Sequence, residues 1–425
     1  MKLGILDCIR NPIKPAASIP ETSLRSAAKL SLPEHGMNIL VNGTSLLTPL
    51  TGIGQYVRHL FSAMSQLPET RLHFYYGTHF AEGLRQPSQG TTRAMHGIYQ
   101  LARRIIPNPR TLRQFVQRRI FSRHARKFGR DYLYHEPNFV ALPYDGPLAL
   151  TIHDLSCFDH PEMHPRERVR LMQREMPASI ARADRIIVIS EATRQALRRW
   201  FDVPEEKIGI TPLAADSRFH PRERTELEAP LAGLGLAPGA YLLSVGTLEP
   251  RKNLTALFAA YGGLPDSLRQ RYPLAVAGLS GWHQEGLLKT AASLVRKGEI
   301  RFLGYVQDAL IPALYAGAAA FAYPSRYEGF GLPPLEAMAS GVPVIVSNRT
   351  SLPEVVGEAG LMVDPDDVDG LREGLRQLLE NTDEAARFAR LGLTRAALFS
   401  WRRCAEETRE IYRQILECRG ISVEN

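Results

Sequence analysis

The chain has 425 residues, 44% of them hydrophobic and 23% charged, with 33 glycines and 30 prolines. That mixture excludes collagen-like, coiled-coil and wholly disordered classes, and the length suits two or three domains, each with its own core. The net charge of +8 is unevenly placed: residues 1–220 hold 30 Lys and Arg against 19 Asp and Glu, and residues 221–425 hold 22 against 25. Only the first half is therefore expected to meet an anionic surface or polyanion, and no recognised nucleic-acid motif accompanies it, so no nucleic-acid partner is expected. Arginines dispersed over solvated helices would give the same count. The longest uncharged apolar stretch, Ala309 to Pro324, is 16 residues and carries Pro312 and Gly317, too short and too broken for a membrane span. Cys8, Cys157, Cys404 and Cys418 form no CxxC or Cys/His cluster and read as reduced thiols. With no charged-then-apolar leader at the N-terminus, a cytoplasmic location is expected.

Residues 1–36 are rich in Pro, Ser and Ala and read as a flexible arm. Met37 opens the first domain and is a second candidate start of the native chain. Strands are predicted at Asn38–Asn42, Arg71–Tyr76, Asp131–His135, Leu148–Ile152 and Arg185–Ile189, with a helix over Gly54–Gln66 and another capped by Ser190. A polar, Pro/Gly-containing stretch follows and reads as a linker over residues 218–239. The rhythm then resumes with strands at Tyr241–Val245, Leu274–Ala277, Ile300–Leu303, Ala319–Tyr323 and Val344–Ser347. A last helix over Trp401–Leu416 can dock on either domain. Near-continuous apolar strands alternating with helices indicate α/β architecture with parallel sheets covered on both faces. The expectation is two Rossmann-like domains, 37–217 and 240–400, facing each other across a cleft, with residues 401–425 as a C-terminal helix.

In open α/β sheets ligands bind beyond the carboxyl ends of the strands, and four loops there stand out. Thr51-Gly52-Ile53-Gly54-Gln55-Tyr56 places two glycines at a helix start, where amides favour anions; it lacks the third glycine of a dinucleotide fingerprint, and a plain tight turn is the competing reading. Thr151-Ile152-His153-Asp154-Leu155 ends an apolar strand. Its histidine either donates to a sugar hydroxyl or reacting oxygen, or satisfies a loop carbonyl.

Gly246-Thr247-Leu248-Glu249-Pro250-Arg251-Lys252-Asn253-Leu254 sets two adjacent cations beside a helix start, able to hold a diphosphate without a metal; the alternative is a solvated basic turn. Tyr323 to Ala337 contains Glu328 and Glu336 on either side of a Gly- and Pro-rich loop. Glu336 is expected in the first helical turn, the two carboxylates gripping opposite ends of an extended ligand. Asp364-Pro365-Asp366 offers an acid pair, expected to end a strand and cap a helix.

These residues resemble the retaining nucleotide-sugar glycosyltransferases of family 4, with GT-B architecture. The resemblance runs from Met37 nearly to the end and is most specific over residues 241–364, including Gly341-Val342-Pro343-Val344-Ile345 and Leu352-Pro353-Glu354-Val355. It implies that Arg251 and Lys252 hold the donor diphosphate, Glu328 contacts the donor sugar and Glu336 binds the nucleotide ribose. It further implies that backbone groups at Gly246, Phe330, Gly331 and Leu332 face the donor, that His153 lies near the reacting face, and that Gly52 and Gly54 lie near the phosphates and acceptor. The implied chemistry is retaining transfer through an oxocarbenium-like transition state, with His153, Arg251, Lys252 and Glu328 as the catalytic set, no protein nucleophile, no cofactor and no metal.

The His-Asp-Leu and Glu-Pro-Arg-Lys-Asn details are similar to bacterial mannosyl- and rhamnosyltransferases of surface polysaccharide assembly. The partners implied are GDP-mannose as donor, ahead of a UDP- or dTDP-sugar, and a glycan or lipid-linked acceptor such as an O-antigen or lipopolysaccharide intermediate. Residues 101–130 contain ten Lys and Arg and no acid, with Leu112, Phe115, Val116 and Ile120 at helical spacing. Such a helix either meets an anionic membrane surface, making the protein peripheral at the inner face of the cytoplasmic membrane, or packs on the core with a solvated Arg face. A sugar-nucleotide epimerase and a catalytically silent binding subunit are the competing functions.

Overall fold

The computed structural model describes residues 36–47, 52–84, 109–129, 131–279, 281–282 and 285–421; all of the expected arm except Gly36 lies outside them. The first sheet comprises β1 (Met37–Asn42), β2 (Thr70–Tyr75), β3 (Phe80–Glu82), β4 (Leu133–Glu136), β5 (Leu148–Ile152), β6 (Arg185–Val188) and β7 (Ile208–Ile210). Their order is β3-β2-β1-β4-β5-β6-β7, parallel except for β3 against β2. The second comprises β8 (Leu242–Val245), β9 (Leu274–Ala277), β10 (Ile300–Gly304), β11 (Ala320–Tyr323), β12 (Val344–Ser347) and β13 (Leu361–Val363), ordered β10-β9-β8-β11-β12-β13.

Central strands are apolar on both faces because helices cover both: every residue of β5, β9, β11 and β12 is buried. In each sheet the winding reverses beside the first strand, β1 lying between β2 and β4 and β8 between β9 and β11. A ligand crevice opens beyond the carboxyl ends at such a reversal. Those ends carry Asn42, Glu136 and His153 in one domain and Gly246 and Ser325–Glu328 in the other.

Eight helices bear on the site and its support: α1 (Gly52–Met64), α2 (Pro109–Ala125), α3 (Arg166–Arg182), α4 (Glu191–Trp200), α5 (Arg224–Ala232), α6 (Leu254–Gly262), α7 (Leu332–Ala339) and α8 (Trp401–Cys418). Two sequence expectations are corrected, and the described part of the basic helix fits the core-packing alternative. The stretch expected as linker contains α5, opened by a capping box between Glu223 and Glu226. Its Leu227 and Leu231 are buried, Leu231 beside Gly317 of the second domain, so the connection is shorter than residues 218–239.

The basic helix α2 forms, but its described apolar side chains serve the fold. Phe121 is buried with its ring 5.0 Å from Tyr75 and 4.9 Å from Tyr134, and Arg118 donates to Glu175 at 2.5 Å. Ile120 packs against the same cluster, while the side chains of Leu112, Phe115 and Val116 lie outside the described residues. Second, Asp364 directly follows the end of β13 as expected, but neither it nor Asp366 caps the next helix; Asp367 does, its carboxylate accepting from the Gly370 amide at 2.8 Å.

The C-terminal helix crosses back to the first domain. Ser400 caps α8, and the Tyr412 hydroxyl meets His135 Nδ1 at 2.5 Å beneath the first sheet. His135 Nε2 in turn meets the Thr151 hydroxyl at 2.7 Å, which lies 3.0 Å from the Tyr56 hydroxyl. Burial pushes the His135 imidazole down to about 3, so it is neutral. Arg419 closes the end by pairing with Asp184 at 2.7 Å.

Candidate active site

The loop after β8 and the loop after β11 converge on one charge cluster. Gly246 has φ +155°, a backbone conformation that L side chains rarely adopt, and the Lys252 stem lies at ordinary contact distance from it, 3.4 Å from where a Cβ would stand. Pro250–Lys252 is a single 3-10 turn, closed by Asn253 at φ +56° before α6 begins. Asn253 is held there by its side-chain amide, which donates to the Pro365 carbonyl at 2.7 Å.

The two cations sequence analysis singled out are not solvated. Lys252 is 9% exposed; its ammonium donates to Glu328 at 2.6 Å and to the Tyr323 hydroxyl. Arg251 donates to the other Glu328 oxygen at 2.8 Å and to the Tyr327 carbonyl at 3.0 Å, and its Nε pairs with Glu249. Ser325 donates to Glu328 at 2.6 Å. Burial opposes the charge on Glu328, but Arg251 and Lys252 outweigh it and hold the carboxyl down to about 2. Burial also opposes the Arg251 charge, and Glu328, Glu249 and Asp154 override it. Lys252 is pulled below the usual amine value by burial and by Arg251 beside it.

The cluster is thus neutral in sum, two cations against Glu328 and Glu249. A diphosphate arriving here must take over at least one cation from Glu328. Glu249 pairs with Arg251 from two residues away, whereas nothing in the local sequence of Tyr323 and Ser325 shows that they reach this cluster across more than seventy residues.

His153 is brought to the cleft as expected, but its ring is already engaged. Nε2 donates to the Pro137 carbonyl at 2.8 Å, and the ring stands edge-on to Tyr56 at 4.9 Å. The loop-carbonyl reading therefore describes that nitrogen, leaving Nδ1 as the ring's remaining polar atom. Asp154 accepts from the Ser156 amide and hydroxyl at 2.9 and 2.6 Å. Burial opposes its charge, but Arg251 across the cleft and Ser156 hold its carboxyl below the usual range.

Glu336 departs from expectation. It is the fifth residue of α7, in the second turn, with no acid in the first. With Leu332 it lines a recess shared with Gln55 and His59 of α1, Asp216, Arg218 and Trp401, of about 10 Å³, room for one water. Burial pushes its carboxyl up to about 7. Glu328 and Glu336 thus sit in separate environments, one fully ionised and the other near half-ionised at neutral pH.

The remaining expected residues supply backbone. Gly52 and Gly54 are the first and third residues of α1 rather than a loop, and residues 48–51 before them are outside the described set. The Phe330 ring is buried edge-on to Phe399 at 5.7 Å, and its carbonyl accepts from Ser351 at 2.7 Å. Gly331, at φ +121°, precedes Leu332 at the start of α7, the end at which helix amides lack intrahelical partners.

The two domains are tied on both sides of this cluster. On one side Glu354 accepts from the Glu191 amide at 3.0 Å at the start of α4, Tyr327 donates to Asp159 at 2.8 Å, and Trp282 donates to the Met163 carbonyl at 2.7 Å. On the other, Asp308 accepts from Arg218 at 3.0 Å, from Arg58 at 3.3 Å and from Gln55 at 3.4 Å.

Two facing doubly wound domains with a cation–carboxylate cluster at the reversal of the second sheet define a cleft enzyme of the glycosyltransferase type. Comparison with known proteins agrees: residues 50–219 match the profile of Glycosyltransferase Family 4 and residues 237–393 that of Glycosyl transferases group 1. The chain is 38% identical over 382 residues to O-antigen chain mannosyltransferase B of Escherichia coli, covering 89% of this chain and 100% of that protein. It is 35% identical over 247 residues to the serotype-specific mannosyltransferase WbdA of Escherichia coli, 56% of this chain but only 30% of that longer protein. Among solved structures, sucrose-phosphate synthase of Thermosynechococcus elongatus superposes with a TM-score of 0.68 at 21% identity, over 90% of this chain and 100% of that one. The chain belongs to glycosyltransferase family 4, and its fold is the two-domain GT-B fold expected from the sequence.

Proposed function

We propose that the protein transfers mannose from GDP-mannose, with retention of configuration, to a hydroxyl of a lipid-linked or oligosaccharide acceptor in O-antigen assembly. The Arg251–Lys252–Glu328 cluster carries this reading. A buried lysine and a half-buried arginine adjacent in sequence, at the carboxyl end of β8, can turn from Glu328 to a diphosphate, and in a low-dielectric cleft they stabilise the charge that grows on it as the glycosidic bond breaks. The ionised Glu328 beside them can steady the positive charge that develops on the sugar. Arg251 and Lys252 supply this stabilisation without a metal ion. The preference for mannose rests on the mannosyltransferases to which the chain is similar.

The acceptor is proposed to be presented at an anionic membrane surface. No described helix is long and apolar enough to cross a membrane. The exposed Arg123, Arg126 and Lys127 at the end of α2 offer positive charge, whereas Phe121 is spent on the core. Attachment would then be electrostatic, with flotation on anionic vesicles lost at high salt.

The test is a thermal-shift panel with GDP, UDP, dTDP and ADP in EDTA, followed by transfer from GDP-mannose with the anomeric product read by NMR. A ligand bound only to the folded state stabilises it by about 2.7 kcal/mol at a hundredfold excess over its dissociation constant. A shift with GDP alone, lost in Arg251→Ala, and an α-linked product are expected. A shift confined to UDP or dTDP would replace mannose by another hexose, and dependence on added metal would remove the metal-free reading.

A further inference from the structure

His164 is a buried polar group that the fold does not use. It lies between the short turn Pro161–Met163 and α3, on the segment that follows His153 and Asp154. It is 4% exposed, and neither ring nitrogen has a hydrogen-bond partner among the described residues. Buried imidazoles are ordinarily partnered, as His135 and His153 are here at 2.7 and 2.8 Å.

Its surroundings place it in the cleft. The ring lies against Trp282 of the second domain, centroids 6.0 Å apart, and Trp282 Nε1 donates to the carbonyl of the preceding residue, Met163. Arg168, Asp154, Arg251 and Glu162 are the charged groups whose fields reach it, so it lies within electrostatic range of the His-Asp loop and of Arg251. Burial, then Arg168, push its imidazole down to about 4. Because Trp282 belongs to the opposite domain, the ring's aromatic contact crosses the cleft.

We propose that His164 binds a hydroxyl of the acceptor sugar, with Trp282 as the apolar wall beside it. A neutral imidazole offers one N–H donor and one bare nitrogen acceptor, and a sugar hydroxyl both gives and takes a hydrogen bond. An indole face packs against the C–H face of a pyranose. The first domain supplies the imidazole and the second the diphosphate cations, which sets the acceptor opposite the departing group. This inference rests on the transferase reading above and specifies its acceptor side.

The probe is methyl α-mannoside, observed by saturation-transfer NMR with the full chain in excess GDP, alongside the GDP-induced thermal shift. Wild type should show the glycoside signal. His164→Phe, which keeps the shape and removes both nitrogens, should weaken glycoside binding about tenfold, and His164→Gln should stay within about threefold. The GDP shift should be equal in all three. An equal glycoside signal in His164→Phe, or none in wild type, overturns the proposal. A GDP shift that falls in step with the glycoside signal overturns it too, by moving His164 to the donor side. Absence of any GDP shift in wild type counts against the transferase reading alone, since the glycoside signal is read separately. If His164→Phe fails to fold, His164→Asn, too short to reach the same hydroxyl, is read in its place.

Discussion

Gly329 and His153 meet across the cleft so closely that a Cβ on Gly329 would overlap the His153 carbonyl oxygen. Thr193 bridges the same point, its hydroxyl 3.3 Å from the His153 carbonyl and 3.2 Å from that of Gly329. The residue next to Glu328 is therefore a spacer whose smallness sets how far the domains close. Gly329→Ala should hold the cleft open while each domain stays folded. Transfer should fall about a hundredfold, the cost of a displacement near 1 Å at a reacting centre. The radius of gyration by X-ray scattering should rise with the melting temperature nearly unchanged; an unaltered rate would show that the contact does not govern closure.

Glu328 competes with the donor for Arg251 and Lys252. Glu328→Gln removes that competition and with it the negative charge proposed to face the developing cation. The nucleotide-induced thermal shift should be at least as large as in wild type, while transfer drops roughly a hundred- to a thousandfold. Loss of nucleotide binding together with transfer would mean that Glu328 instead holds the cations in place.

Glu336 makes stability depend on pH. Burial raises its pKa from 4.5 to about 7, so the folded state favours the protonated form. Its contribution is full below pH 4.5 and is lost as pH rises through about 7. The swing is of order 1–3 kcal/mol for a partly exposed group. Glu336→Gln should melt higher than wild type at pH 8 relative to its value at pH 5, and parallel melting curves at both would refute the assignment.

Asp308 is the second domain's carboxylate in a cluster with Arg58, Arg218 and Asp216. Asp308→Asn should cost about 1 kcal/mol at low salt, as a half-exposed pair does, and less at high salt, where screening has already weakened the wild-type pairs. Urea unfolding at two salt concentrations reads this; an equal loss at both would make the effect one of packing.

Much of the architecture is legible because periodicity and burial are local. The strands at Leu148–Ile152, Leu274–Ala277 and Val344–Ser347 match the structure end to end, each an uninterrupted apolar run with helices on both sides. The edge strands β3, β7 and β13 are three residues each, too short for any period to show. Helix α5 was hidden by Pro230 inside it, which reads as a breaker although Leu227 and Leu231 anchor the helix in the second core. At the site, residue types were legible and pairings were not. Arg251 and Lys252 announce an anion, and Glu249 pairs with Arg251 within the same loop, but their pairing with Glu328 depends on the loops after β8 and β11 folding together. His164 carries no signal in its sequence, because what distinguishes it is the absence of a partner.

The return of α8 to the first domain has a consequence for how the protein is made. Tyr412 completes a polar chain through His135, Thr151 and Tyr56 beneath the first sheet, and Cys404, Tyr412, Ile415 and Leu416 join its core. Those residues leave the ribosome only after the whole second domain. During synthesis the N-terminal domain waits, with the face of α1 that α8 covers open to solvent, while the whole second domain emerges and is free to fold first. The usual order of domain folding on the ribosome is inverted at the final step. A nascent chain stalled at residue 400 should bind chaperones through its beginning rather than its end.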